Sequence, residues 1–200
     1  MILVYADHDR GELDPLALQV VSAARGLDAD VHALIVGPNA EKCVDDLASA
    51  GVRMVHHGTN AAIDDYTPRA SASAVITIME SLEPRAVLAA GTPRGSEVLA
   101  HVASIKDLPL VTECSEIALT GSGTAEVTRA RWGGNLFERS EVSADVLLAT
   151  VQAHAFAVSE DAGDAQVEAF DVPVTDADLE VSIVERTGAA ETGVGLAEAK

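Results

Sequence analysis

Cysteine is nearly missing from this chain. Cys43 and Cys114 are the only two among 200 residues, and they form no CxxC pair. That excludes a disulfide framework and fits a reducing cytoplasm, with both thiols read as small apolar core residues. Lysine is also scarce, present only at Lys42, Lys106 and Lys200, while 13 basic residues face 32 Asp and Glu for a formal net charge of −19. So negative a field repels phosphodiester backbones and argues against a nucleic-acid partner. The acid excess fits an ordinary acidic protein with a solvated face, or adaptation to molar salt, where the Debye length shrinks to about 3 Å and self-repulsion is screened. The shortage of lysine favours the second, halophilic reading. No apolar run approaches the ~20 residues of a membrane span. The opening Met1-Ile2-Leu3-Val4-Tyr5-Ala6 passes straight to Asp7 without a basic leader or a small-residue cleavage site, so a cytoplasmic location is expected. There is no GxxxxGK[ST] and no GxSxG. The nearest approach to GxGxxG, Gly193-Val194-Gly195-Leu196-Ala197-Glu198, lacks the last glycine and follows no strand.

What is present is alternation. Ile2 to Ala6 is a short apolar run, as expected of a strand buried on both faces. Asp14-Pro15 supplies an N-cap acceptor and a proline at N1, and Ala17, Val20, Val21 and Ala24 follow at helical spacing before Gly26. Residues 31–36 read as a second strand, 40–50 as a helix and 52–57 as a third strand. Thr67-Pro68 repeats the cap-plus-proline start for a helix carrying Val75, Ile78, Met79 and Leu82. Residues 86–90 form a fourth strand, a helix with Val98, Leu99, Val102 and Ala103 follows, and Leu110-Val111 begins a fifth strand. Strands separated by helices of this length imply right-handed crossovers. The fold class is therefore α/β: three layers, with a mostly parallel central sheet and helices on both faces. Beyond residue 115 the pattern changes. Gly121-Ser122-Gly123 reads as a hairpin turn leading into 124–131, and 145–151, 167–172 and 179–184 are strand candidates without intervening helices. These are expected to extend the sheet with antiparallel strands or to form a small flap. Residues 1–186 then make one domain and 187–200, rich in Gly, Ala and Thr, a linker.

Ligands of open α/β sheets bind beyond the carboxyl ends of the strands. Three loops fall there: Asp7-His8-Asp9, Gly37-Pro38-Asn39, and Gly91-Thr92-Pro93-Arg94-Gly95-Ser96. The last is the candidate site. Thr92 caps a helix whose first amides, at Arg94, Gly95 and Ser96, together with the Arg94 guanidinium, suit a phosphate or carboxylate. The plain alternative is an ordinary capped helix with a glycine for close packing. His8 reads as a solvated loop residue, or as a titrating group if paired with a carboxylate. The six histidines match no zinc spacing, and His56 and His57 point to opposite faces of a strand, so no metal site is expected. Arg131-Trp132-Gly133-Gly134-Asn135 is a tight turn whose tryptophan is either an anchor or a partner contact. No catalytic constellation emerges.

Taken together, the string resembles the N-terminal domain of electron transfer flavoprotein alpha subunits. The resemblance rests on the opening strand with Asp7-His8-Asp9-Arg10-Gly11, on Asp14-Pro15, on Ala90-Gly91-Thr92-Pro93-Arg94-Gly95 and on Arg131-Trp132-Gly133-Gly134-Asn135, in that order. It implies the adenine nucleotide alpha hydrolase-like topology. The loop after the first strand is not the serine- and glycine-rich one of ATP-pyrophosphatase relatives, which disfavours ATP chemistry. The resemblance also implies FAD held by a C-terminal domain beyond residue 200, so that no FAD ligand is expected in this chain. It further implies a beta-subunit partner, electrons received from flavoprotein dehydrogenases such as acyl-CoA dehydrogenases, and delivery to a quinone reductase or another acceptor. The alternative expectation is a small-nucleotide-binding module using Thr92, Arg94, Gly95 and Ser96.

Overall fold

The computed structural model describes residues 1–64, 66–161 and 163–187. The elements in chain order are β1 (Ile2–Tyr5), β2 (His8–Asp9), β3 (Glu12–Leu13), α1 (Pro15–Leu27), β4 (Val31–Val36), α2 (Val44–Ser49), β5 (Met54–Thr59), α3 (Pro68–Leu82), β6 (Ala86–Ala90), α4 (Pro93–Lys106), β7 (Leu110–Gly121), β8 (Thr124–Arg131), β9 (Leu136–Ser143), β10 (Leu147–Val151) and β11 (Gln166–Asp171). One sheet of nine strands runs in the order β11-β5-β4-β1-β6-β10-β7-β8-β9. The first seven of these are mutually parallel, and β8 and β9 continue the sheet antiparallel.

The alternation of side chains along each strand divides the interior in two. Ile2 and Val4, with Ala33, Ile35 and Leu88, face α1 and α2. Leu3, Leu34, Val87 and Leu148 face α3 and α4. Buried apolar residues on both faces of every central strand are the physical reason the sheet is parallel and sandwiched. The expected three-layer α/β architecture with an antiparallel extension is the observed one.

The differences from expectation lie in the last third. The strand expected over 145–151 forms as β10, but it inserts parallel between β6 and β7. The strand expected over 167–172 forms as β11 and adds parallel to β5 at the far edge. The β8–β9 hairpin carries the chain from β7 to β10 and residues 152–165 carry it on to β11, so the missing helix does not signal antiparallel pairing here. Residues 179–184 are not a strand. A single 3-10 turn, Asp176–Leu179, with a capping box between Thr175 and Asp178 occupies its start. The antiparallel strand after the Trp132 turn, β9, has no expected counterpart. The helix expected over 40–50 is split into a 3-10 turn, Ala40–Cys43, and α2. Thr67 stands at the N-cap position of α3 but makes no capping bond. Apart from Thr187, the expected linker over 187–200, with its near-GxGxxG stretch, lies outside the described residues.

Candidate functional site

The chain leaves β1 towards β4 on one side and leaves β6 towards the other, so the loops after these two neighbouring strands part at their carboxyl ends. That is the ligand-binding position of open α/β sheets. The loop after β1 folds into a two-residue hairpin, β2 with β3, through Arg10 and Gly11, both at positive φ. Glycine is required at position 11, because a Cβ there would stand 2.6 Å from the Asn39 carbonyl. This hairpin turns His8 inward. Its Nδ1 accepts from the Gly11 amide at 3.1 Å and its Nε2 donates to the Val36 carbonyl at 2.9 Å. His8 is therefore a buried joint between two strand ends, not a solvated loop residue.

The α4 start closes the crevice from the other side. Thr92 Oγ1 accepts from the Gly95 amide at 3.0 Å, and the Ser96 amide donates to the Thr92 carbonyl at 2.9 Å. Two of the three amides expected to face a ligand are thus engaged within the helix. Arg94 turns back across the crevice. Its Nη1 donates to the His8 carbonyl at 3.0 Å and lies 3.6 Å from Asp7, and its guanidinium sits 4.7 Å above the Tyr66 ring. Tyr66 in turn donates to Glu97. Burial first, then this carboxylate, pushes the Tyr66 phenol up to about 12. Burial likewise raises the Asp7 carboxyl against the pull of Arg94 and His8.

The structure therefore brings Asp7, His8 and Arg94 together, as the loop positions imply, but as partners of one another. The cavity they line with Tyr5, Tyr66 and Thr67 holds about 20 Å³, room for a single water. Dinucleotide and nucleotide sites need several hundred Å³, so these residues do not fit FAD. One polar atom lining the crevice, Thr67 Oγ1, is buried without a hydrogen-bond partner. Tyr66 was not legible as a site residue, because only the packing of the loop before α3 against α4 sets it beside Arg94 and Glu97. A larger groove of about 410 Å³ lies at the opposite, amino end of the sheet, lined by Glu83, Arg85, Gly121 and Asp145 among others.

A second feature stands at the far end of the sheet. The β8–β9 turn carries Trp132, Gly133 and Gly134 at positive φ, and Asn135 Nδ2 donates to the Trp132 carbonyl at 2.7 Å. This geometry holds the indole outward. Trp132 is 80% exposed, Phe137 72% and Leu136 57%. The tryptophan is not an anchor within the chain. Behind it Glu138 accepts from Arg129 at 2.8 Å, from Arg131 at 3.0 Å and from Ser140 at 2.8 Å, which hold its carboxyl down to about 2. Across β8 and β9 three arginines balance three glutamates, so the hairpin is a neutral, apolar-tipped element on a strongly acidic protein.

The Electron transfer flavoprotein domain family matches residues 2–175. The chain belongs to that family. Its relatives include the Electron transfer flavoprotein subunit alpha of Thermoanaerobacterium thermosaccharolyticum, 26% identical over 99% of this chain and 62% of the relative. The protein of the same name from Bacillus subtilis is 24% identical over 100% of the chain and 62% of the relative. That from Pseudomonas aeruginosa is 29% identical over 86% of the chain and 54% of the relative. The chain thus spans roughly half to three-fifths of these relatives' length. Among the described residues no helix is long and apolar enough to cross a membrane.

Proposed function

We propose that this chain is the scaffold and subunit-contact domain of an electron transfer flavoprotein alpha subunit, with residues 1–186 as the platform and 187–200 leading towards a FAD-binding domain. The relatives are named as subunits, and a subunit needs a surface for its partner. The observation that carries the reading is the apolar tip of Trp132, Leu136 and Phe137, held outward by a turn too short to fold it back. Exposed aromatics on a rigid, charge-neutral hairpin are the residue types that dominate binding energy at protein interfaces. The partner is a beta subunit. The assembled carrier takes electrons from flavoprotein dehydrogenases such as acyl-CoA dehydrogenases and passes them to a quinone reductase or another acceptor in the cytoplasm. The redox chemistry belongs to FAD, while this domain contributes rigidity and partner surface. The self-filled crevice supports this division, since its cavity of about 20 Å³ leaves no volume for a nucleotide beside Asp7, His8 and Arg94.

The test is calorimetric titration of the beta subunit into this chain. Association is expected, and replacing Trp132 and Phe137 together by alanine weakens it at least about tenfold, the scale of a lost interface hot spot. Unaltered affinity in that variant would place the contact elsewhere. Titration with AMP, ATP and FAD gives no tight binding on this reading. Micromolar AMP binding abolished by Arg94→Ala would instead establish the nucleotide-binding alternative at Thr92, Arg94, Gly95 and Ser96.

A further inference from the structure

Only His8 among the six histidines serves the crevice, and two others meet inside the sheet. On the α3 side, the adjacent parallel strands β4, β5 and β11 set His32, His56 and Glu168 in a row, because His56 registers with Leu34 on one flank and with Glu168 on the other. His32 Nδ1 lies 2.9 Å from His56 Nε2. His32 Nε2 is 3.2 Å from Asp30, and His56 Nδ1 is 3.5 Å from Glu168. His56 is only 3% exposed, and its Nδ1 is buried without a hydrogen-bond partner.

The protons can be counted. The row Asp30, His32, His56, Glu168 has three junctions, and a hydrogen bond at each needs one proton. Two neutral imidazoles bring two N–H groups, whatever their tautomers. One junction is therefore always bare. With Asp30 accepting from His32 Nε2 and His32 Nδ1 accepting from His56, the bare junction is His56 Nδ1 against the Glu168 carboxylate, acceptor facing acceptor. That is where the structure shows the unpartnered nitrogen.

We infer that the row is a one-proton clasp on the edge strand β11: a proton taken from solvent onto His56 Nδ1 donates to Glu168 and ties β11 to β5. The row passes from two negative charges to one, and no bond other than the new N–H forms. From β4 the facing group is His32, with Asp30 acting through it, and from β11 it is Glu168. The buried face of α3 over these strands includes Ala74, Val75 and Ile78, and among the described residues no charge beyond His32 and Glu168 acts on His56. Burial, and after it His32, hold the His56 imidazole below its ordinary range while Glu168 works the other way, so uptake falls at lower pH than for an exposed histidine. Two signs follow. Since this value is depressed relative to an exposed histidine, the whole fold loses stability as pH falls through it. Within the fold, however, β11 gains a bond it lacked. The consequence reaches further along the chain, because β11 leads into the turn Asp176–Leu179, which Asp178 pins to Arg69 of α3. The inference is independent of the subunit reading.

The experiment is amide hydrogen exchange of the intact chain between pH 8 and 5, with β11 protection expressed relative to β9. The opposite edge is a fit reference, because its Glu138 stays ionised across this range. Protection of β11 is expected to rise about three- to tenfold as pH falls through the His56 titration, the worth of one hydrogen bond. Glu168→Gln supplies an N–H donor to the bare Nδ1 at every pH, so its protection is high and flat. In Glu168→Ala protection is low and flat, and ring NMR shifts show His56 titrating at lower pH than in the parent. The Glu168 side chain is 68% exposed, so these variants keep the fold. A pH-independent ratio in the parent, unchanged pH dependence in Glu168→Gln, or an unmoved His56 titration in Glu168→Ala would each overturn the clasp.

Discussion

At the scale of single residues, the α4 start shows how close packing and capping divide one loop. A Cβ on Gly95 would stand 2.3 Å from the Ala90 carbonyl oxygen, a backbone atom fixed within β6. The same loop needs Thr92 only for one hydrogen bond to the Gly95 amide. Thr92→Ala is therefore expected to cost about 1 kcal/mol, the ordinary worth of an N-cap, and to lower the melting temperature by about 2–4 °C in a chain of this size. Gly95→Ala forces the helix away from the strand and costs more, about 1–3 kcal/mol as an overpacked core position. Thermal unfolding of the two variants side by side tests the ranking, and equal losses would mean that the loop yields. The two cysteines illustrate the opposite case, in which residue type alone was informative. Burial pushes both thiols to about 11, so they pack as inert core groups, as their scarcity and spacing imply.

At the scale of elements, the turn Asp176–Leu179 after β11 is tied to α3 through the Asp178 carboxylate. Asp178 accepts from Arg69 at 3.0 Å, from the Thr175 amide at 2.9 Å and from the Thr175 hydroxyl at 2.7 Å. Burial works to raise this carboxyl, but these bonds outweigh it and hold it below 3.8. A depressed value means the contribution is present above the unfolded pKa and is lost as pH falls through the folded one. Asp178→Asn should therefore release the segment at neutral pH, seen as faster exchange of the Thr175 and Asp178 amides, and should remove part of the acid-induced loss of stability below pH 4. An acid transition identical in parent and variant would show that the pin is elsewhere. This segment also marks the limit of what the sequence discloses. The central strands were legible because runs such as Ala86 to Ala90 are apolar on both faces, and α1 because Asp14-Pro15 announces it. The placement of β10 between β6 and β7, and of β11 beside β5, was not, since both are fixed by long-range pairing that leaves no local pattern. The crevice divides in the same way. Its loops follow from strand ends, yet its closure depends on Arg94 of α4 reaching over Tyr66 in the loop before α3. The His32–His56 contact, too, arises only when β4 and β5 fall into register.

For the molecule as a whole, the decisive quantity is the net charge of −19. Added salt acts on it in two opposing ways. It weakens favourable pairs such as Lys106 with Glu80 and Arg131 with Glu138, but exposed pairs of this kind are worth about 0–1 kcal/mol each. It also screens repulsion among 32 carboxylates, which grows with the square of the net charge and acts over the whole surface. Screening should win, so the melting temperature is expected to rise by more than about 5 °C between dilute buffer and molar KCl. The shape of the rise separates the two readings of the composition. The Debye length falls from about 10 Å at 0.1 M to about 3 Å at 1 M, so relief of simple repulsion is mostly complete by a few tenths molar. A plateau there describes an ordinary acidic protein, and a rise that continues through molar KCl describes one adapted to salt. No rise at all would remove the halophilic reading. The neutral hairpin at β8–β9 adds a corollary to the same experiment. A contact made by Trp132, Leu136 and Phe137 does not depend on attraction between charges, so partner affinity should hold or strengthen over the salt range in which charge-steered binding is lost.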